Sequence, residues 1–99
     1  MIARVWRGRV HSDLLIEYRE YIARTGLTDY RATPGNRDAY MLTRDCDGYS
    51  DVITFSLWDS LDSIVAFAGD DVTLARYYPE DERFLLDRPE RVEHYDVTE

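Results

Sequence analysis

Apolar residues recur along this chain with two different periods, and the switches between them outline the fold. Ile2 to Val10 mixes β-branched and aromatic residues with arginines and shows no helical period, which predicts a first strand. From Ser12, a natural cap, Asp13 suits the positive end of a helix dipole. Leu14, Leu15, Tyr18 and Ile22 then recur at helical spacing until Gly26, where the helix is expected to stop. Leu27 to Asn36 holds Thr33-Pro34-Gly35-Asn36, a turn cluster that leads into a second strand from Arg37 to Asp45. In Cys46-Asp47-Gly48-Tyr49 the Asp-Gly pair favours a type I′ hairpin turn. The strand beyond it, Ser50 to Trp58, sets Ile53, Phe55 and Leu57 in alternation with Val52, Thr54 and Ser56.

Asp59 or Ser60 caps a second helix whose apolar stripe is Leu61, Ile64, Val65 and Ala68, and Gly69 ends it. Val72, Leu74, Ala75 and Tyr78 suggest another helical turn, and Pro79-Glu80-Asp81-Glu82 looks like the acidic first turn of a further helix. Pro89 breaks the chain, and Arg91 to Val97 is the fourth strand. The order βαββαβ predicts a single α+β domain of ferredoxin-like type, a four-stranded antiparallel sheet with its helices on one face. The other face carries Val5 or Trp6, Tyr40 or Met41, Thr54, and Val92 or His94, depending on register. That face is too apolar to stay wet, and a second copy of the chain is its expected cover.

Charge and composition narrow the function classes. A net charge of -8 repels phosphate backbones and anionic headgroups, so neither nucleic acid nor membrane is an expected partner. All 12 basic residues are arginine, which excludes a Schiff-base lysine and the lysine of a P-loop. Cys46 is the single cysteine, so no internal disulfide or thiolate metal cluster can form. The first residues lack the apolar run of a signal peptide, and a cytoplasmic location is expected.

The same residues carry a resemblance. Ser56-Leu57-Trp58-Asp59-Ser60 passing from third strand to second helix, Phe67 beyond it, Tyr30 to Arg37 before the second strand, and Arg76 to Leu86 together resemble the antibiotic-biosynthesis monooxygenase superfamily, over nearly the whole chain. The resemblance implies a dimeric αβ-barrel. It implies either oxidation of phenolic polyketides to quinones by molecular oxygen without a cofactor, or haem binding and cleavage. For the first chemistry it carries over Trp58 as a pocket residue, while the active-site asparagine has no match, since Asn36, the only one here, lies in a turn. For the second, the iron-ligand histidine falls near Tyr77, and the first strand has no asparagine.

Among the residues themselves, His94 is the candidate catalytic base, an imidazole able to take a phenol's proton, and alternation puts it on one face with Asp96. A histidine satisfied within a strand or a dimer seam is the plainer reading. Trp6 and Trp58 could clamp a flat substrate or simply pack the core. Arg4, with Arg7 and Arg9, could hold a phenolate or carboxylate, or pair with surface carboxylates. Tyr77 is a further substrate-binding candidate, with Tyr78 beside it. Asp45-Cys46-Asp47-Gly48 lacks the ligands of a calcium loop, and no metal site is expected. The leading expectation is a cofactor-independent monooxygenase of an electron-rich aromatic. The alternative is a non-catalytic dimeric module that binds a small ligand or merely assembles, and the third is a haem-binding relative. A drug-sized cavity reaching an ionisable group would favour catalysis, and a filled interface between sheet and helices the module.

Overall fold

The computed structural model describes residues 1–99. Strand β1 (Ile2–His11) is followed by a single 3₁₀ turn and by helices α1 (Leu15–Arg24) and α2 (Gly26–Ala32). Strands β2 (Asn36–Asp45) and β3 (Tyr49–Trp58) form the hairpin, and α3 (Leu61–Ala68), α4 (Asp81–Phe84), β4 (Leu85–Asp87) and β5 (Glu93–Asp96) complete the chain. The sheet is antiparallel and open, in the order β2-β3-β1, and both β4 and β5 lie along the outer edge of β1. This is the ferredoxin-like order, with the fourth place split into two short strands where four single strands were expected. β4 pairs with Arg9 and Val10, and β5 pairs with Ile2 to Val5.

The hairpin forms as its turn chemistry dictates. Asp47 (φ 62°) and Gly48 (φ 97°) both adopt the left-handed region that a type I′ turn requires, and the Cys46 amide donates to the Tyr49 carbonyl at 2.7 Å. Ser60 is the cap of α3: its hydroxyl accepts from the Ser63 amide, and the Ser63 hydroxyl accepts from the Ser60 amide. Gly69, at φ 89°, ends that helix.

Three expectations change among the helical segments. Gly26 does not end the helical region. The backbone bends at Thr25, and a new helix starts at Gly26 because Leu27 and Tyr30, three residues apart, both reach the core. The expected helical turn over Val72 to Tyr78 does not form, because that backbone bonds elsewhere. Val92 donates to Thr73 and Ala75 to Glu90, both at 2.8 Å, and the Val72 and Leu74 carbonyls accept from Arg4. In α3 the buried residues are Ile64 and Phe67, while Leu61 and Val65, expected in the stripe, are exposed.

Register settles which side chain faces where. Arg4, Trp6, Gly8 and Val10 oppose Ser56, Thr54, Val52 and Ser50, and with Ala39, Met41 and His94 they face the helices. Thr54 therefore belongs to the inner face, not to the face opposite the helices. Val5, Arg7 and Arg9 oppose Phe55, Ile53 and Asp51 on the outer face, joined by Tyr40, Leu42 and Tyr95. The core lies between the inner face and the helices. Tyr18, Tyr21, Ile22, Leu27, Tyr30, Ile64, Phe67 and Phe84 pack there on Trp6, Val10, Val52 and Trp58.

Candidate functional site

A cleft enters the core between sheet and helices. Arg4, Trp6 and Thr54 line it from the strands, Tyr18, Ile22 and Tyr30 from α1 and α2, and Phe67 from α3. Arg76, Tyr77 and Tyr78 close it from the irregular segment after α3, and Asp81 from the start of α4. Its free volume is about 30 Å³, enough for a water molecule and far below the several hundred Å³ of a ligand pocket.

Arg4 is the centre of this site. Strand parity sends it inward beside Trp6, and it is 1% exposed. One terminal nitrogen donates to the Val72 carbonyl at 2.5 Å and lies 3.1 Å from His94 Nε2, and the other donates to the Leu74 carbonyl at 3.0 Å. Its Nε has no hydrogen-bond partner. None of the ion pairs of the protein includes Arg4. Burial lowers its pKa, but a guanidinium keeps its charge at any physiological pH. The cleft thus contains a buried cation with no carboxylate against it, an arrangement that favours an anion in the cleft.

The neighbouring arginines differ. Arg7 pairs with Glu93 at 3.1 Å and Arg9 with Asp51 at 3.3 Å, on the outer face. Arg76, at the cleft, has Asp29 at 3.5 Å and lies 4.9 Å from the Phe67 ring centre.

Asp81 is the other unmatched ionisable group at the cleft. It is 3% exposed; its Oδ2 accepts from the Tyr78 amide at 2.6 Å, while its Oδ1 has no partner and no ion pair reaches it. Burial raises its pKa above the ordinary carboxylate value. The phenols around it are shifted the same way: burial raises the Tyr18, Tyr77 and Tyr78 hydroxyls, so they stay protonated and act as donors.

The residues singled out from sequence fall in different places. His94 faces inward beside Arg4, and burial first, then the Arg4 charge, lowers its pKa. Because arginine can only donate, His94 Nε2 must accept, which puts the ring proton on Nδ1 and engages the lone pair that a general base would use. Trp58 is fully buried, donates to the Ser56 hydroxyl at 2.9 Å, and packs on Tyr30 and Phe67 beneath the cleft, not at its wall. Trp6 does line the cleft, and its indole N–H donates at 3.0 Å to the hydroxyl of Tyr77, which in turn donates to the Pro89 carbonyl. The structure therefore brings Arg4, Trp6, Tyr77 and His94 together and leaves Trp58 in the core. The sequence reading missed Tyr30, whose ring stacks on Phe67 at 4.3 Å, and Asp81. Asp81 looked like a helix-start acid, and nothing in its neighbours marks it as buried.

No cluster of histidine, cysteine and acidic side chains is arranged to hold a metal ion, and no helix is long and apolar enough to cross a membrane.

No family model matches the chain, and no curated protein matches it. Solved structures do. One, described as "Putative antibiotic biosynthesis monooxygenase from Nitrosomonas europaea", superposes with a TM-score of 0.69 over 98% of this chain and 98% of that chain, at 15% identity. Another, a putative antibiotic biosynthesis monooxygenase from Bacillus cereus, gives 0.56 over 96% of this chain and 87% of that one, at 16% identity. Both carry the name of the superfamily that the sequence resembles, and what they share with this chain, end to end, is its fold.

Proposed function

We propose that this protein is a dimeric, cofactor-independent monooxygenase whose inner cleft holds an electron-rich phenolic aromatic as its anion. The observation that carries the reading is Arg4, a buried cation without a carboxylate partner in a cleft walled largely by aromatic rings and phenols, where the other charged side chains are Asp81 and the Asp29-paired Arg76. A guanidinium there lowers the free energy of a phenolate relative to the phenol, and the phenolate is the form that gives an electron to oxygen without metal or flavin. After that transfer, the substrate radical and superoxide combine at carbon, and the hydroperoxide loses water to leave a quinone carbonyl. One oxygen atom ends in the product and one in water, and the substrate loses two hydrogens.

A substrate of that size needs more than 30 Å³, so the cover from Val72 to Tyr78 must lift to admit it. Among its tethers are the two carbonyl bonds to Arg4, and an incoming anion competes for the same guanidinium. The small volume favours a second reading, a ligand-binding module without turnover.

Titration with 1,3-dihydroxynaphthalene, followed by tryptophan fluorescence and oxygen uptake, separates the two. Saturable quenching with oxygen consumption, both reduced at least about tenfold in Arg4→Gln, is expected, in line with the loss of a charge-assisted bond. Quenching without oxygen consumption leaves the module, and no binding removes both.

A further inference from the structure

Arg4 and Asp81 line the same cleft with opposite defects. Arg4 is a buried cation without an anion, and its Nε is unpartnered. Asp81 is a buried acid without a cation, and its Oδ1 is unpartnered. No ion pair links the two: Arg4 is held by two carbonyls and a ring nitrogen, and Asp81 by one amide, with the Arg88 charge acting on it from beyond ion-pair distance. Two unmatched buried polar atoms, one on the sheet side of a cleft and one on α4, are a recognisable demand for a ligand that accepts at one and donates at the other. A phenol that ionises between them meets both demands.

We propose that Asp81 takes the proton from the bound phenol, its free Oδ1 becoming the carboxylic O–H while the phenolate charge comes to rest at Arg4. The phenol O–H bond breaks, the Oδ1–H bond forms, and the electron pair of the broken bond stays on the phenol oxygen. Arg4 and the anion, first Asp81 and then the phenolate, carry one charge of each sign before and after the step, so the net charge of the cleft is unchanged. His94, whose lone pair faces Arg4, is not the acceptor. The assignment rests on the anion-holding cleft described above and goes beyond it in naming the base.

A consequence follows for a ligand that arrives already ionised, such as 2-naphthoate. Bound at Arg4, it occupies the place of the phenolate and requires Asp81 in its protonated form. Binding to the wild-type protein should therefore take up about one proton, and affinity should fall about tenfold per pH unit once Asp81 ionises. The groups that face Asp81 are Tyr18 and Tyr21 from α1, Tyr77 and Tyr78 from the cover, and Arg88 beyond β4. The tyrosines have raised pKa values and stay neutral between pH 6 and 9.

The experiment is calorimetric titration of the full chain with 2-naphthoate in buffers of different ionisation enthalpy, from pH 6 to 9, for wild type and Asp81→Asn. Proton uptake near one in the wild type, absent in Asp81→Asn with a flat pH profile, is the expected result. Equal uptake in both proteins would assign the proton to another group and overturn the proposal, as would the lack of uptake in the wild type. If Asp81→Asn fails to fold, His94→Gln serves in its place: uptake retained in that variant keeps the proton on Asp81, and uptake lost assigns it to the histidine beside Arg4 and overturns the proposal. Failure of the wild type to bind would overturn the anion site together with the base. Proton uptake with no oxygen consumption from 1,3-dihydroxynaphthalene would keep Asp81 as proton acceptor and reject the monooxygenase.

Discussion

Gly8 lies two residues beyond Trp6 on the inner face of β1, and the indole folds across it. A Cβ built at Gly8 would come within 2.4 Å of Trp6 Cη2 and 2.7 Å of Cζ2, so any side chain there drives the ring out of the cleft wall. Gly8→Ala is expected to cost about 1–3 kcal/mol, the usual penalty of overpacking, seen as a lower urea midpoint with an unchanged slope. It should also weaken the Trp6 to Tyr77 bond that helps hold the cover down.

Asp81 and His94 give opposite pH signatures. The folded state raises the Asp81 pKa above 3.8, so its contribution is most favourable below that value and is lost as pH rises through the folded value. Asp81→Asn should therefore be more thermostable than wild type at pH 8 and lose that advantage near pH 3, as measured by melting temperature. The folded state lowers the His94 pKa below 6.5, so the neutral ring supports the fold fully above pH 6.5 and less as pH falls through the folded value.

At this scale the sequence held a signal that strand parity exposes. Arg4 has the parity of Trp6 and Val10, and Arg7 and Arg9 have the other, so alternation alone separates the buried arginine from the two paired ones. The same parity places Trp58 with Val52, Thr54 and Ser56, the core side. Asp81 offered no such signal, because a short helix shows no period.

Among the elements, those specified by local chemistry were legible, and those specified by distant partners were not. The hairpin belongs to the first kind: Asp47-Gly48 fixes the turn, and the alternation beyond it fixes the register. A Cβ at Gly48 would meet nothing within 4 Å, so Gly48→Ala isolates the dihedral cost at φ 97°, expected to be about 1–2 kcal/mol in thermal or urea unfolding. The cap of α3 is similarly local, and its Ser60 was one of two expected cap residues. By contrast, α2 exists because Leu27 and Tyr30 find the core, despite a glycine that read as a stop. The segment from Val72 to Tyr78 has helical spacing, yet its Val72 and Leu74 carbonyls are taken by Arg4, its Thr73 carbonyl accepts from Val92 and its Ala75 amide donates to Glu90. Periodicity counts only near neighbours, and both of these elements are decided by partners far along the chain. The fourth strand divides for a related reason. Pro89 lacks an amide to donate, and the chain leaves the edge of β1 between β4 and β5.

For the whole molecule, the decisive feature is the outer face of the sheet. Tyr40, Leu42 and Tyr95 are 47%, 49% and 48% exposed there, around Ile53, Phe55 and Leu57. The pairs Arg7–Glu93, Arg9–Asp51 and Arg44–Asp51 flank this patch. A central apolar patch with charges at its margin has the anatomy of an interface. The groove over Ile53 between Arg9 and Leu42 encloses about 600 Å³, room for side chains from an opposing copy. The helices already cover the inner face, so a second sheet packed on the outer face is the arrangement that removes this surface from water. Such a contact needs more than about 1,000 Å² to be stable, and the apolar centre supplies its driving force. Light scattering at tens of micromolar is expected to give twice the 11.7 kDa mass of the chain. Phe55→Glu, which puts a charge at the middle of the patch, should give the single mass while far-UV circular dichroism remains native. Because each copy carries a net charge of -8, the wild-type dimer should loosen at low ionic strength, where repulsion between like-charged copies is least screened. A wild-type protein that stays monomeric at those concentrations would remove the dimer and leave the outer groove open to solvent.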